Sequence, residues 1–275
     1  MKKVSSVLYG VVAYAIFLVT ILYAIGFAGG FVVPRTLDVG PPAPLLEALA
    51  IDVLLLCLFA VQHSVMARPW FKRVWTRVVS PSIERSTYVL FASVVLLVLY
   101  WQWRPITAVV WTVESPVGVA VLHGVFWLGW GLVFASTFLI NHFELFGLRQ
   151  VFARLLGRSL PPPVFKTPLV YRHVRHPIYL GFLLAFWATP NMTVGHLVFS
   201  LGTTGYILIG IRLEEHDLTE LFGEQYRRYK AKVGMLFPSV IRTSRGQVAD
   251  ERRSLDAHVE TDEPLTVAHD SVRYR

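Results

Sequence analysis

The chain has 275 residues, of which 54% are hydrophobic and 16% are charged, and its formal net charge is +8. Soluble domains have about a quarter of their residues charged, so this composition, with a mean hydropathy of +0.52, excludes an ordinary soluble protein and predicts a multi-pass membrane protein. The basic residues fall between apolar segments, which favours a membrane-orientation signal over nucleic-acid binding. The single cysteine, Cys57, lies in an apolar run, so the sequence offers neither a disulfide framework nor a cysteine metal cluster.

Four apolar segments come first along the chain, and each is close to the roughly twenty helical residues that cross a bilayer. They cover residues 7–33, 45–65, 86–103 and 117–140. The first segment lacks a convincing cleavage site, so we interpret it as a retained anchor and not as a signal peptide. Between the second and third segments, the basic and tryptophan-containing stretch 68–85 is predicted to lie at the membrane interface.

A helical hairpin over residues 178–211 is predicted next, with Pro190 and Asn191 between its arms. Its first arm, 178–189, is short for a full crossing, and the sequence leaves open whether the hairpin spans the bilayer. We therefore expect an all-α integral membrane protein with four transmembrane helices, a C-terminal helical hairpin and a cofactor site at the cytoplasmic face. Residues 1–242 are predicted to form this membrane domain. The polar stretch 243–275 has no apolar periodicity and is predicted to be a disordered cytoplasmic tail.

The distribution of Lys and Arg predicts the orientation of these segments. The loop 67–85 holds five such residues and the region 141–176 holds six, whereas the loops on the opposite side hold only Arg35 and Arg104. Cytoplasmic loops carry the excess of Lys and Arg in membrane proteins. The N-terminus, both basic loops and the C-terminus are therefore predicted to be cytoplasmic.

With this orientation, polar side chains from distant parts of the chain gather at the cytoplasmic side. They are Gln62, His63, Ser64, Glu84, Arg85, Asn141, His142, Glu144, Arg149, the run 171–179 and the run 212–215. Ionisable residues near membrane depth are costly and usually face a cavity or one another, so a one-sided gathering predicts a site. Residues that merely flank helices at the interface are the alternative, although flanking predicts Lys and Arg and does not predict the glutamates.

The spacing within the hairpin suggests what this site would bind. Pro177 is suited to the first position of a helix, whose free N–H groups would accept a ligand carboxylate. Glu214 and Glu215 follow the returning arm and place negative charge opposite that helix end. One pocket would thus offer a side that accepts a carboxylate and a side that accepts a cation or a ribose.

Three motifs in this region resemble a known family. They are Arg175-His176-Pro177-Ile178-Tyr179-Leu180-Gly181, Glu214-Glu215-His216-Asp217-Leu218 and Gly223-Glu224-Gln225-Tyr226-Arg227-Arg228-Tyr229. In this order they are similar to the cofactor-binding half of the membrane methyltransferases related to isoprenylcysteine carboxyl methyltransferase and phospholipid methyltransferases. That family binds S-adenosyl-L-methionine. The resemblance therefore implies cofactor contacts by Tyr171, Arg175, His176, Tyr179, Glu214 and Glu215.

The N-terminal half resembles one branch of such enzymes, the bacterial methanethiol S-methyltransferases. The resemblance is carried by runs that include Gln62-His63-Ser64, Glu84-Arg85-Ser86, Trp101-Gln102-Trp103-Arg104-Pro105 and Asn141-His142-Phe143-Glu144. It implies a multi-pass enzyme of the bacterial inner membrane. It also implies a small thiol substrate, methanethiol, which is methylated to dimethyl sulfide while the cofactor becomes S-adenosylhomocysteine.

Methyl transfer to a thiol requires little more than positioning and a deprotonated sulfur. A small alkanethiol has a pKa of about 10, so forming its thiolate at neutral pH costs about 4 kcal/mol unless the site helps. His142 and His63 are candidate bases, because an imidazole titrates near neutral pH. Arg149 or Arg85 could stabilise the thiolate or hold Glu144 in place. The alternative for the run 142–144, a helix end satisfied by its neighbours, stays open.

Other classes of protein fit part of the pattern. A membrane reductase of the sterol type would use NADPH, and a related methyltransferase could act on a prenylcysteine or a lipid. The paired glutamates favour a sulfonium cofactor over one that bears phosphates. A membrane partner protein without enzymatic activity is a further alternative. The histidines are scattered without ligand spacing, so no metal site is predicted.

Overall fold

The computed structural model describes residues 2–238, and the predicted tail at 243–275 lies outside the described residues. In the described part the chain forms ten α-helices and two short strands. The helices are α1 (Lys2–Gly29), α2 (Leu45–Ala67), α3 (Pro69–Trp75), α4 (Pro81–Gln102), α5 (Pro116–Ile140), α6 (His142–Leu145), α7 (Leu148–Leu155), α8 (Pro177–Trp187), α9 (Val194–Phe222) and α10 (Glu224–Lys232). The strands are β1 (Val109–Thr112) and β2 (Asn191–Thr193).

Five helices within residues 2–238 are long and apolar enough to cross a membrane, namely α1, α2, α4, α5 and α9. The first four coincide with the four predicted segments, so the predicted all-α membrane architecture is confirmed. The fifth is the returning arm of the hairpin. It runs well past the predicted end at residue 211, because the polar residues that follow continue the helix as far as Phe222.

The tip of the hairpin, between α8 and α9, lies at the face of the bundle away from the basic loops. The loop between α1 and α2 and the loop between α4 and α5 lie at this face as well. β2 at the tip pairs antiparallel with β1 from the loop between α4 and α5. The Thr193 hydroxyl also donates to Asp38 in the loop between α1 and α2, at 2.6 Å. The hairpin therefore reaches across the same layer as the other spanning helices, although α8 itself has only 11 residues. The sequence had left this point open.

Close packing against α5 sets the depth at which α8 begins. A Cβ atom at Gly129 of α5 would lie 2.6 Å from the carbonyl oxygen of Gly181 in α8, and the reverse substitution would clash equally. Gly181 is the fifth residue of α8, whereas Gly129 lies eleven residues before the end of α5. At 1.5 Å per residue, the start of α8 is recessed by about 10 Å from the basic-loop end of α5. The start of α8 thus lies deeper in the bundle than the end of α5, and we call the recessed region around it the depression.

The half of the bundle near the strands has an aromatic core. Phe27, Tyr100, Trp103, Trp130 and Phe199 are buried there, with Phe27 and Trp103 in edge contact at 6.1 Å between ring centroids. Burial of such rings supplies much of the apolar area that a helical core removes from solvent. The candidate site lies in the opposite half, near the basic loops.

Candidate active site

Glu215 is the centre of a buried ion-pair network at the start of α8. Its Oε1 accepts from Arg175 Nε at 2.8 Å and lies 3.1 Å from His176 Nε2, and its Oε2 lies 2.6 Å from Lys230 Nζ. The carboxylate side chain is only 7% exposed. Both oxygens are thus satisfied by protein groups, and the network joins α9, the start of α8 and α10.

Backbone contacts fix the same region from the C-terminal side. The amide of Arg175 donates to Gly234 O at 2.9 Å, and that of His176 donates to Met235 O at 3.1 Å. The guanidinium of Arg175 also donates to the carbonyls of Lys230 and Val233. The segment after α10 therefore holds the residues that precede α8, where His176 has a non-helical backbone with φ −125° and ψ 64°. The proline at position 177 disfavours a helical conformation there.

Glu214 differs from its neighbour Glu215 because one of its carboxylate oxygens has no hydrogen-bond partner in the described chain. The side chain is 44% exposed and lies beside the hydroxyl of Tyr179, and His176 Nδ1 is 3.7 Å from its Oε2. That oxygen is buried and has no hydrogen-bond partner among residues 2–238. Buried polar atoms are nearly always paired, so an unpaired one at a recessed surface suits a ligand that donates a hydrogen bond.

Three tyrosines line the same region and stay neutral at physiological pH. The Tyr229 hydroxyl donates to Tyr171 O at 2.5 Å, and the Tyr171 hydroxyl donates to Ser136 O at 3.4 Å. Burial raises the pKa of Tyr229 to about 12, and it raises the pKa values of Tyr171 and Tyr226 further above their ordinary range. The Tyr226 hydroxyl is buried without a partner in the described chain.

The structure brings together all six residues that the resemblance implied as cofactor contacts. Tyr171 and Tyr179 both lie within electrostatic range of Glu214, and Arg175 and His176 contact Glu215 directly. Sequence reasoning did not single out Lys230. The signal available was its position directly after the motif that ends at Tyr229, but the residue type alone does not indicate an ion pair with Glu215.

His63 lies in the last turns of α2, among aromatic rings. Its Nε2 is 2.7 Å from the Tyr88 hydroxyl, and its ring stacks on Phe59 at 5.1 Å between centroids. The ring of Tyr206 in α9 approaches it edge-on at 6.4 Å. The Nδ1 atom of His63 is buried and has no hydrogen-bond partner in the described chain. We call Phe59, His63, Tyr88 and Tyr206 the His63 cluster.

His142 begins α6 and has both ring nitrogens occupied. Thr137 Oγ1 donates to Phe134 O at 2.8 Å, so it accepts from His142 Nδ1–H at 2.9 Å, and the Tyr14 hydroxyl then donates to Nε2 at 2.7 Å. The imidazole also stacks on Phe138 at 4.1 Å. Burial lowers the pKa of His142, which favours the neutral ring.

Glu144 and Arg149 form an ion pair with each other near the starts of α6 and α7. Asn141 donates to the same Glu144 oxygen at 2.6 Å, and its own side-chain oxygen accepts from the Glu144 amide at 3.4 Å. Their side chains are 38% and 40% exposed. The structure places this pair beside His142 and not within the Glu215 network.

No group of three or more His, Cys, Asp or Glu side chains within residues 2–238 could hold a metal ion.

Comparison with known proteins adds the family. The family described as NnrU protein matches residues 52–247. Methanethiol S-methyltransferase 1 of Bradyrhizobium diazoefficiens is 60% identical over 236 residues, which cover 86% of this chain and 83% of the relative. Methanethiol S-methyltransferase of Mycobacterium tuberculosis is 57% identical over 86% of this chain and 98% of its own length. The methanethiol S-methyltransferase of Pseudomonas deceptionensis is 57% identical over 89% of this chain and 94% of its own length.

No solved structure is significantly similar to the chain. The sequence matches alone thus decide membership: the chain belongs to the NnrU family and to the family of membrane proteins named methanethiol S-methyltransferase.

Proposed function

We propose that this protein methylates the sulfur of methanethiol with S-adenosyl-L-methionine as donor, giving dimethyl sulfide and S-adenosylhomocysteine. Family membership supplies the reaction. The observation that carries the donor assignment is the carboxylate of Glu214, which is half exposed at the recessed start of α8 and has one buried oxygen without a partner.

The polar groups in this depression match the donor groups of S-adenosyl-L-methionine. Its ammonium or ribose hydroxyls would donate to Glu214 Oε2, and its carboxylate would face the free N–H groups at the start of α8. The buried hydroxyl of Tyr226, which feels the charge of Glu214, offers a further contact. A phosphate-bearing cofactor such as NADPH would be repelled by the Glu214 carboxylate, whereas the charge of Glu215 is already balanced by Arg175 and Lys230.

When bound, S-adenosyl-L-methionine supplies an electrophilic methyl group on a sulfonium. The residues of this chain bind and orient it. Glu214, His176 and Tyr179 form the contacting surface, and Tyr171 borders it. The start of α8 is recessed by about 10 Å from the end of α5 by the helix geometry, and orientation alone supplies a large part of such rate enhancements.

Arg175 and Glu215 act in this proposal as positioning residues. Arg175 and Glu215 form an ion pair with each other. Glu215 also pairs with Lys230, and Arg175 also donates to backbone carbonyls. A buried, fully paired carboxylate holds Glu214, one residue earlier, in a fixed direction at the start of α8. Glu144 and Arg149, which the sequence suggested for catalysis, are proposed to fix the short helix α6 that begins with His142.

We further propose that the depression faces the cytoplasm in a bacterial inner membrane, with both termini on that side. The support is the excess of Lys and Arg in the loops that border the depression. Residues 1–242 would then form the membrane domain and 243–275 a cytoplasmic tail.

The test uses the purified full-length protein in detergent or nanodiscs, incubated with S-adenosyl-L-methionine and methanethiol in sealed vials. We expect dimethyl sulfide in the headspace and S-adenosylhomocysteine in solution in equal amounts. Parallel vials contain a prenylcysteine, a phospholipid or NADPH with a sterol. Absence of dimethyl sulfide, or preferential turnover of one of these alternatives, would contradict the proposal.

A further inference from the structure

The His63 cluster contains an unsatisfied nitrogen in a place where the fold provides no partner for it. The Nδ1 of His63 is buried and without a hydrogen-bond partner in residues 2–238, whereas its Nε2 pairs with Tyr88 at 2.7 Å. Buried polar atoms without partners are uncommon and costly, so each one calls for a catalytic role, a bound ligand or an ordered water. Methanethiol has one S–H group and can therefore satisfy one such nitrogen.

The walls of the cluster suit a small apolar thiol. Phe59 stacks on the imidazole, and the ring of Tyr88 is 4.9 Å from it between centroids. The ring of Tyr206 lies edge-on to the imidazole at 6.4 Å between centroids. Sulfur is polarisable and makes favourable contacts with aromatic rings at about 5 Å. Three aromatic rings thus border the imidazole that has the unpaired nitrogen, which favours a ligand with one polar hydrogen and a single methyl group.

The cluster borders the donor site. Tyr88 and Tyr206 both lie within electrostatic range of Tyr179, whose hydroxyl lies beside Glu214. Tyr206 in α9 precedes Glu214 by two helical turns, so the same helix lines both places. A thiol at the His63 cluster would therefore be next to the donor in the depression.

A cation stands beside the cluster on α4. The guanidinium carbon of Arg85 is 5.3 Å from the ring centroid of Tyr88, and its charge acts on both Tyr88 and His63. The Nε of Arg85 donates to Leu145 O at 2.8 Å, which fixes the side chain. Arg68 is the other cation that acts on Tyr88 and Tyr206, and it is paired with Asp217 at 3.1 Å. A thiolate in the cluster would be stabilised by Arg85, and its negative charge would offset the repulsion between Arg85 and a protonated His63.

His142 offers no comparable opening, because Tyr14 and Thr137 occupy its two nitrogens. To take a proton from a substrate, its ring would have to give up the hydrogen bond from Tyr14.

We propose that the thiol binds at the His63 cluster and that His63 Nδ1 is the general base; this inference rests on the proposed function. The S–H bond breaks and its proton goes to Nδ1, while Nε2–H donates to the Tyr88 oxygen and so fixes the tautomer. The sulfur lone pair then forms the new S–CH₃ bond, and the electron pair of the broken sulfonium bond stays on the donor sulfur. Nδ1 returns its proton to water when the product leaves.

Two measurements on the purified full-length protein test this. The first follows the ultraviolet absorbance of thiolate as methanethiol is added to protein saturated with the unreactive product S-adenosylhomocysteine. The second is the single-turnover rate of dimethyl sulfide formation. For His63→Gln we expect loss of the thiolate signal at neutral pH and a rate about 100-fold lower, with S-adenosylhomocysteine binding unchanged. His123→Gln, an exposed histidine at the strand end of α5, is the matched control and is expected to behave as wild type.

A His63→Gln protein with wild-type thiolate signal and wild-type rate would overturn the inference while the proposed function stands. Wild-type protein that neither binds S-adenosylhomocysteine nor forms dimethyl sulfide would instead overturn the proposed function. If His63→Gln does not fold, Tyr88→Phe decides: it keeps the ring and removes the hydroxyl that fixes the tautomer. We expect it to change the pH profile of the rate with KM for methanethiol unchanged, and an unchanged profile would overturn the inference.

Discussion

Two histidines at the same end of the bundle make the same first contact and differ in the second. His63 and His142 each lie 2.7 Å from a tyrosine hydroxyl. The second nitrogen of His142 is bonded to Thr137, whereas that of His63 has no partner in the described chain. The adjacent glutamates repeat the contrast, since Glu215 is fully paired and Glu214 has an unpaired oxygen. In both cases the residue with a remaining hydrogen-bonding position is the one that a ligand can use.

The largest effect is expected from a substitution of Glu215, the fully paired glutamate. Glu215→Gln leaves Arg175 and Lys230 without their buried counter-charge, so we expect a loss of about 3 kcal/mol in the free energy of unfolding. Binding of S-adenosylhomocysteine should be lost as well, because Glu214 is no longer held. Denaturant unfolding in mixed micelles and titration calorimetry measure the two effects.

The matched control is Glu220→Gln on the same helix, whose exposed pair with His216 should contribute less than about 1 kcal/mol. Equal stabilities for the Glu215 and Glu220 variants would show that the network does not support the site.

Glu214→Gln should separate binding from stability. We expect the Kd for S-adenosylhomocysteine to rise by about tenfold or more, because a charge-assisted hydrogen bond contributes about 1.5–3 kcal/mol. The free energy of unfolding should change little, since the side chain is 44% exposed. Calorimetry alongside Glu224→Gln, an exposed glutamate of α10, provides the comparison, and equal Kd values for the two variants would count against the donor site.

Thr137→Val tests the role of His142, the histidine whose two ring nitrogens are both hydrogen-bonded. It removes the acceptor for His142 Nδ1–H, and we expect a loss of about 1 kcal/mol in the free energy of unfolding, the usual contribution of one hydrogen bond. The rate of methyl transfer should not change, because His142 has no role in proton transfer in this account. A rate that falls in parallel with a changed pH profile would return His142 to the mechanism.

The smallest expected effect is a pH dependence of stability from His142. Burial lowers the pKa of His142, so the folded protein binds this proton less readily than the unfolded chain does. The resulting stability is fully present above the unfolded pKa of about 6.5 and is lost as the pH falls below it. Thermal unfolding from pH 7.5 to pH 5 should show a steeper loss for wild type than for His142→Gln. Identical slopes would contradict the buried, neutral imidazole.

The sequence was sufficient for the spanning helices and for the residues that meet at the start of α8. Apolar length predicted the four spans, and the motifs at both ends of the hairpin predicted that Arg175, His176 and the two glutamates meet. It could not divide the roles of Glu214 and Glu215, because neighbouring residues on a helix point in different directions and only the packed partners decide which is buried. Those partners are Lys230 and the backbone of residues 233–235, and no local sequence pattern predicts these contacts.

The same limit applies to the histidines and to the hairpin tip. Asn141-His142-Phe143-Glu144 suggested a catalytic group as strongly as Gln62-His63-Ser64 did, since the contacts that separate them come from Thr137, Tyr14 and Tyr88. The pairing of β1 with β2 depends on two short segments far apart in the chain, each too short to have a strand signal of its own.

One measurement tests the central claim, that a donor held at Glu214 and a thiol held at His63 react within one site. Purified wild-type protein, Glu214→Gln and His63→Gln are each mixed with S-adenosyl-L-methionine bearing a deuterated methyl group and with methanethiol, and headspace mass spectrometry follows the product. From wild type we expect dimethyl sulfide with one deuterated methyl group. Raising the donor concentration should restore product formation by Glu214→Gln and should not restore it for His63→Gln. Undiminished labelled product from both variants at limiting donor would contradict the account.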